Sequence, residues 1–278
     1  MQARMVQVNM AGSSRVDDAW KRGPLKQWLR RRFPALFSVF KISRRYPWLY
    51  SITPEVLEPS LSLLHRILFD YGYAQSCQRK SCLDGQGLEI PWYTYPAIQY
   101  LNHLDFSGKS VFEFGAGAST LWWARRAARV VSVEHVPDWY AALSEKLPAN
   151  CELMLETDET RYCESIRGRQ EDFDVAIVDG MGANFTRLRC ATAALERIRP
   201  SGMIIVDNAD WLPRTCEALR SAGMTQVDFD GAVPLNAECG RTSLFFKEFG
   251  FGWHGAPTVG GVEQNWEAGE IPASQARV

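Results

Sequence analysis

The sequence predicts an α/β protein: a doubly wound, mostly parallel seven-stranded sheet with an antiparallel last strand, preceded by an α-helical N-terminal extension. Three observations predict it. From residue 110 onward, short apolar runs alternate with helical patterns. Strands that are apolar throughout belong to parallel sheets covered on both faces. The first of these runs breaks at Gly115 and Gly117 and passes directly into a helix. The last two runs, Met224–Phe229 and Thr242–Lys247, have no helical pattern between them, so the final strand is expected to insert antiparallel.

Residues 1–15 are polar and small and are expected to be disordered. A basic, aromatic stretch follows from Trp20 to Phe33, in which Leu25, Trp28, Leu29 and Phe33 recur at helical spacing with Lys26, Arg30 and Arg31 between them. Pro34 bends or ends that helix, and Phe37 and Phe40 continue an apolar face toward Lys41, Arg44 and Arg45. The apolar face suits packing on the core or on a second copy in a homodimer. The basic face suits peripheral contact with a membrane surface. No recognition motif accompanies the charge, so no nucleic-acid partner is expected. Residues 53–75 read as a helix with Pro54 at an early position, Gln75–Glu89 as a polar loop, and Ala97–Leu101 as a short helix. Tyr93, Thr94 and Tyr95 before it read as packing groups or as a lid over a pocket.

The alternation then runs in order. Strands are expected at Ser110–Phe114, Val130–Glu134, Cys151–Leu155, Phe173–Asp179 and Met203–Asp207. Helices are expected at Ser119–Ala128, Asp138–Leu147, Glu159–Gly168, Phe185–Ile198 and Pro213–Ala222. The implied organisation is a helical extension over residues 1–90, a ligand-binding domain over 91–250 and a flexible tail over 251–278.

Composition narrows the class. A net charge of −1, 46% hydrophobic and 23% charged residues describe an ordinary soluble globular chain. Its seven cysteines form no CxxC pair, which argues against a disulfide framework and a zinc ribbon. No apolar run approaches the ~18 residues of a membrane span, and the polar start lacks a signal-peptide core. A cytoplasmic location is expected, with membrane association through the basic helix as a variant.

The glycine turn carries the chemistry. Glycines let a backbone approach a ligand closely at a strand end and helix N-terminus, and an acid after the next strand can bond ribose hydroxyls. Glu134 closes that next strand at an offset of 134 − 115 = 19 residues, near the ~20 of nucleotide-binding sites. Glu113 lies two residues before the turn. A carboxylate there disfavours an anionic pyrophosphate and suits a cationic ligand. Thr120 occupies the place where a dinucleotide fingerprint has its third glycine.

These residues resemble the class I S-adenosylmethionine-dependent methyltransferases, whose Rossmann-like fold carries an acid, one residue and Gly-x-Gly-x-Gly after the first strand. This chain has Glu113, Gly115, Ala116, Gly117 and Ser119, with serine replacing the third glycine. The resemblance covers roughly residues 91–248. It implies S-adenosyl-L-methionine as cofactor, with Glu113, Gly115 and Gly117 lining its methionine portion, Glu134 on its ribose, and Ala116, Ser119 and Asp179 also among the residues that hold it. His135 and Asp158 are candidates for its adenine. The rival readings are a fold-mate that has lost catalysis and serves as a binding protein, and a nicotinamide-dependent oxidoreductase.

A second constellation joins the first. Strands four and five end at Asp179 and at Asp207-Asn208, 207 − 179 = 28 residues apart, and ligands of such sheets bind beyond the strands' carboxyl ends. The spacing resembles that of magnesium-dependent O-methyltransferases. The resemblance implies catalytic and metal-ligating roles for Asp179, Asp207 and Asn208, with Mg²⁺ activating a hydroxyl. The chain departs from that family at position 182, where glycine replaces the catalytic lysine. The acceptor is then expected to be a small molecule or a glycan-type hydroxyl.

Overall fold

A computed structural model describes residues 31–32, 46, 51–182 and 185–253. The chain divides into two compact units, Met1–Ser62 and Leu63–Val278. In the first, Arg31 and Arg32 are helical and exposed. The rest of the basic stretch, with Leu25, Trp28 and Lys26, lies outside the described residues. Helix α1 (Pro54–His65) starts at Pro54 as expected and buries none of its residues. No helix among the described residues is long and apolar enough to cross a membrane.

The expected helix over 53–75 is instead broken. After α1 the chain makes a π-helical turn over Arg66–Asp70. It reverses at Gly72, where φ is +79°, and enters α2 (Tyr73–Arg79). Much of the expected loop at its start is therefore helix. Gly72 is the reason: its backbone is left-handed, and a Cβ there would stand 2.2 Å from the main-chain carbon of Asp84. Ser76 secures the packing below, donating to the Leu83 carbonyl and accepting from the Leu83 amide, each at 2.9 Å. Cys82 and Ile90 are buried in one core with Tyr93 and Tyr95, so residues 63–90 join the second unit. Tyr93 and Tyr95 are core groups, not a lid.

Seven strands form the sheet: β1 (Ser110–Phe114), β2 (Arg129–Glu134), β3 (Cys151–Leu155), β4 (Phe173–Val178), β5 (Ile198–Asp207), β6 (Thr225–Ala232) and β7 (Cys239–Phe246). Their order is β3-β2-β1-β4-β5-β7-β6. The first five run parallel. β7 lies antiparallel between β5 and β6, as the missing helix predicts. The connections carry α4 (Ala118–Ala124), α5 (Pro137–Ser144), α6 (Glu159–Glu164), α7 (Phe185–Leu195) and α8 (Pro213–Ser221), while α3 (Tyr95–Asn102) precedes the sheet. Thr94 caps α3.

Side chains alternate between two cores, one on each face of the sheet. Phe112, Phe114, Ala176, Val178, Ile204 and Val206 enter one. Val111, Val175, Ile177, Met203 and Ile205 enter the other, with Trp122 and Trp123. Each fully buried aromatic or aliphatic side chain contributes about 1.5–3 kcal/mol over its exposed state. Strand period places Glu113 on the Val111 face. The chain beyond β7 returns to this core: Phe251 is buried, and the Asp105 amide donates to the Gly252 carbonyl at 2.8 Å. The expected tail is thus docked over 251–253, and its remainder lies outside the described residues.

Gly72→Ala is expected to cost about 1–3 kcal/mol and lower the melting temperature by several degrees without changing the fold. An unchanged melting curve would show that the turn at Gly72 accommodates a side chain.

Candidate functional site

A cleft of about 1000 Å³ opens beyond the carboxyl ends of β1, β2, β4 and β5. Its floor is the turn after β1. Gly115 has φ +92°, and a Cβ there would lie 2.5 Å from the Cα of Gly180, in the loop after β4. Gly180 is equally confined, since its own Cβ would meet the Tyr162 hydroxyl at 1.7 Å. Gly117 differs. Its backbone is extended, and a Cβ would meet only the Trp139 ring, at 3.7 Å. The fold itself does not require glycine at 117. Gly115, Ala116, Gly117 and Ser119 all line the cleft.

Glu113 does not line the cleft. It is fully buried beneath the turn, where its Oε2 accepts from Thr120 Oγ1 at 2.5 Å and from Ser132 Oγ at 2.8 Å. Thr120 Oγ1 in turn accepts from the Gly117 amide at 2.9 Å. Glu113 thereby holds the turn's conformation through Thr120. Its Oε1 has no hydrogen-bond partner. Burial pushes its carboxyl from the ordinary 4.5 up to about 7, against the pull of the Ser119, Thr120 and Ser132 hydroxyls.

Glu134 ends β2 on the cleft wall. Its Oε2 accepts from the Ala116 amide at 3.1 Å, and its Oε1 from the amides of His135 and Val136, each at 2.8 Å. Three main-chain donors therefore fix the carboxylate beside the turn. His135 also lines the cleft, with its ring edge-on to Tyr162. Asp158 does not. It caps α6, accepting from the Arg161 amide at 2.9 Å. An aspartate ahead of a helix satisfies that helix's free N–H groups, and this accounts for the position expected to contact adenine.

The structure brings Asp179, Asp207 and Asn208 together on the cleft, as their strand-end positions predict. Asp179 retains 21% side-chain exposure. Its surroundings push its carboxyl from 3.8 up to about 6: burial raises it, Arg187 opposes the rise and Glu134 adds to it. Asp207 is buried and accepts from Thr242 Oγ1 at 2.7 Å. Burial and then Asp179 raise its carboxyl well above the usual range. Asn208 is left-handed, with φ 54°.

Sequence reasoning missed what stands among them. The Arg187 guanidinium donates to Asn208 Oδ1 at 3.0 Å and lies 3.4 Å from Asp179 Oδ1. A cation already occupies the constellation expected to hold Mg²⁺. The positive charge of the guanidinium repels a second cation at this distance, so the donor set does not fit a divalent metal. No cluster of three His, Cys, Asp or Glu suited to a metal occurs among the described residues. Arg187 thus stands where Asp179, Asp207 and Asn208 were expected to ligate Mg²⁺. Three tryptophans were also missed as site residues. Trp139 donates its Nε1 proton to the Ala116 carbonyl at 2.7 Å, while Trp92 and Trp211 stand exposed on the cleft wall.

Residues 112–209 match the family model described as a methyltransferase domain. No sequence among the curated proteins matches the chain. Among solved structures, the precorrin-6y C5,15-methyltransferase of Geobacter metallireducens GS-15 is similar at 16% identity and a TM-score of 0.43, over 55% of this chain and 87% of that one. The precorrin 8W decarboxylase of Methanobacterium thermoautotrophicum is similar at 22% identity and a TM-score of 0.40, over 56% and 91%. The N-methyltransferase NodS of Bradyrhizobium japonicum WM9 is similar at 17% and 0.40, over 49% and 86%. Likeness at this level assigns no substrate.

The raised carboxyl of Glu113 makes folding pH-dependent. Its folded value of about 7 exceeds the ordinary 4.5, so its stabilising protonation is complete below pH 4.5 and lost as pH rises through 7. The difference, 7 − 4.5 = 2.5, corresponds to about 3 kcal/mol. Urea midpoints of the native protein are expected to fall between about pH 5 and pH 8, and those of Glu113→Gln to fall distinctly less. Equal declines in both proteins would rule Glu113 out as the source.

Proposed function

We propose that the chain, whose residues 112–209 match a methyltransferase domain, is an S-adenosylmethionine-dependent methyltransferase and that its acceptor is the hydroxyl of a small molecule or glycan. The observation that carries this reading is the position of Asp179. It is an ionisable carboxylate at the end of β4, on the same cleft as the turn at Gly115 and next to Gly180, which that turn touches.

The residues present suit the cofactor. A cleft of about 1000 Å³ is at the upper end of ligand-site volumes and leaves space for an acceptor. The bare Cα of Gly117, which the fold does not demand, leaves open the surface that a ligand would cover. The carboxylate of Glu134, held by three amides, is the acceptor group for ribose hydroxyls. S-adenosylmethionine supplies a methyl group already activated on a sulfonium.

What the protein adds is placement and proton removal. Asp179 is the group that would take the proton of the acceptor hydroxyl, whose oxygen would receive the methyl group that the bound donor's sulfur gives up. A carboxyl at about 6 is ionised at neutral pH and more basic than an ordinary aspartate. Trp92 and Trp211 offer flat apolar faces to the acceptor's ring. The exposed rings favour a phenolic or sugar hydroxyl over a chain-like one.

Asp179→Asn is expected to lower methyl transfer at least roughly 100-fold while calorimetry shows little change in S-adenosylhomocysteine affinity. Transfer is measured from a radiolabelled donor across phenols, sugars and amines. An unaffected rate in the variant, or labelling of amines alone, would remove the reading. Glu134→Ala is expected to weaken S-adenosylhomocysteine binding by about tenfold or more; undiminished binding would take the ribose role from Glu134.

A further inference from the structure

Arg187 is the third residue of α7, and its side chain is only 13% exposed. A cation in the first turn of a helix opposes the helix dipole, at a cost of about 0.3–1 kcal/mol, so this placement needs compensation. The hydrogen bonds supply it. Nε donates to the Gly180 carbonyl at 3.2 Å. Nη1 donates to the Asp207 carbonyl at 2.9 Å and to Asn208 Oδ1 at 3.0 Å. Nη2 donates to the Asp179 carbonyl at 3.0 Å and to Asp179 Oδ1 at 3.4 Å.

A guanidinium has five N–H groups, and all of them are engaged here. None remains for a substrate, so Arg187 is not a binding residue for the acceptor. Its partners are also unusual. Three are main-chain carbonyls where β4 and β5 leave the sheet, and the others are a carboxylate and a carboxamide oxygen. Five oxygens converging on one positive centre from carbonyl, carboxylate and amide groups are the donor chemistry of a hard-cation site.

We propose that Arg187 is the built-in cation of this site: a positioning residue that orders Asp179 and Asn208 as a divalent metal would in the same oxygen cage, so that the enzyme works without one. The inference takes from the reading above only that Asp179 faces the acceptor. Removing the side chain would then uncover a cage of oxygens around a vacated positive position.

Electron paramagnetic resonance of Mn²⁺ tests this on the full chain saturated with S-adenosylhomocysteine. Native protein is expected to leave the aqueous Mn²⁺ signal unchanged. Arg187→Ala is expected to bind a single Mn²⁺ with loss of that signal, and Arg187→Ala combined with Asp179→Asn to lose the site again. Arg187→Lys, which keeps a charge with fewer donors, is expected to exclude Mn²⁺ as the native protein does. Mn²⁺ binding to native protein that Asp179→Asn abolishes would overturn the proposal. So would a folded Arg187→Ala that binds none, or an Arg187→Lys that binds it. Should Arg187→Ala fail to fold, the native protein and Arg187→Lys still decide. None of these measurements involves methyl transfer, so they stand or fall separately from the acceptor assignment.

Discussion

Two glycines touch where β1 and β4 leave the sheet, and the rest of the cleft is arranged around that contact. Gly115 and Gly180 each exclude a Cβ because the other, or Tyr162, is already there. The approach brings the turn after β1 and the loop after β4 within van der Waals reach. It sets Asp179, adjacent to Gly180 in sequence, beside the cofactor turn. Glu113 and Glu134 then hold that turn from beneath and from the side, through Thr120 and through the Ala116 amide.

The sheet was largely legible in the sequence because its parallel strands are apolar on both faces. Runs such as Val111–Phe114 and Val175–Val178 are buried throughout. Glu134 was legible as a residue of the cleft because an acid that closes an apolar run stands at the strand's carboxyl end, where the cleft opens. Asp158 was not, since an aspartate after a strand looks the same whether it meets adenine or caps the next helix. The break at Gly72 was invisible for a different reason: a lone glycine in a helical pattern is often tolerated, and its close approach to Asp84 is a tertiary fact.

Arg187 shows the limit most clearly. Three of its five partners are main-chain carbonyls, which have no sequence signature. The one available signal was its position in the first turn of a helix that has no acid there. An arginine facing the positive end of a helix is locally unfavourable, and such a conflict marks a residue retained for distant contacts. The glycine at position 182, read as the loss of a catalytic lysine, is followed five residues later by this other cation.

The inverted strand β7 has a consequence for biosynthesis. Its register sets Thr242 opposite Asp207, and Thr242 is the hydroxyl that satisfies that buried acid. Thr242 in turn accepts from the Thr94 amide at 3.0 Å, so residues nearly 150 positions apart in the chain close on one atom. A nascent chain that has emerged only through β5 has an open sheet edge and an acid without its donor. The cleft is therefore completed by almost the last segment of the domain to leave the ribosome, and a chain arrested before Thr242 would carry the glycine turn with the acid at the end of β5 still unpaired.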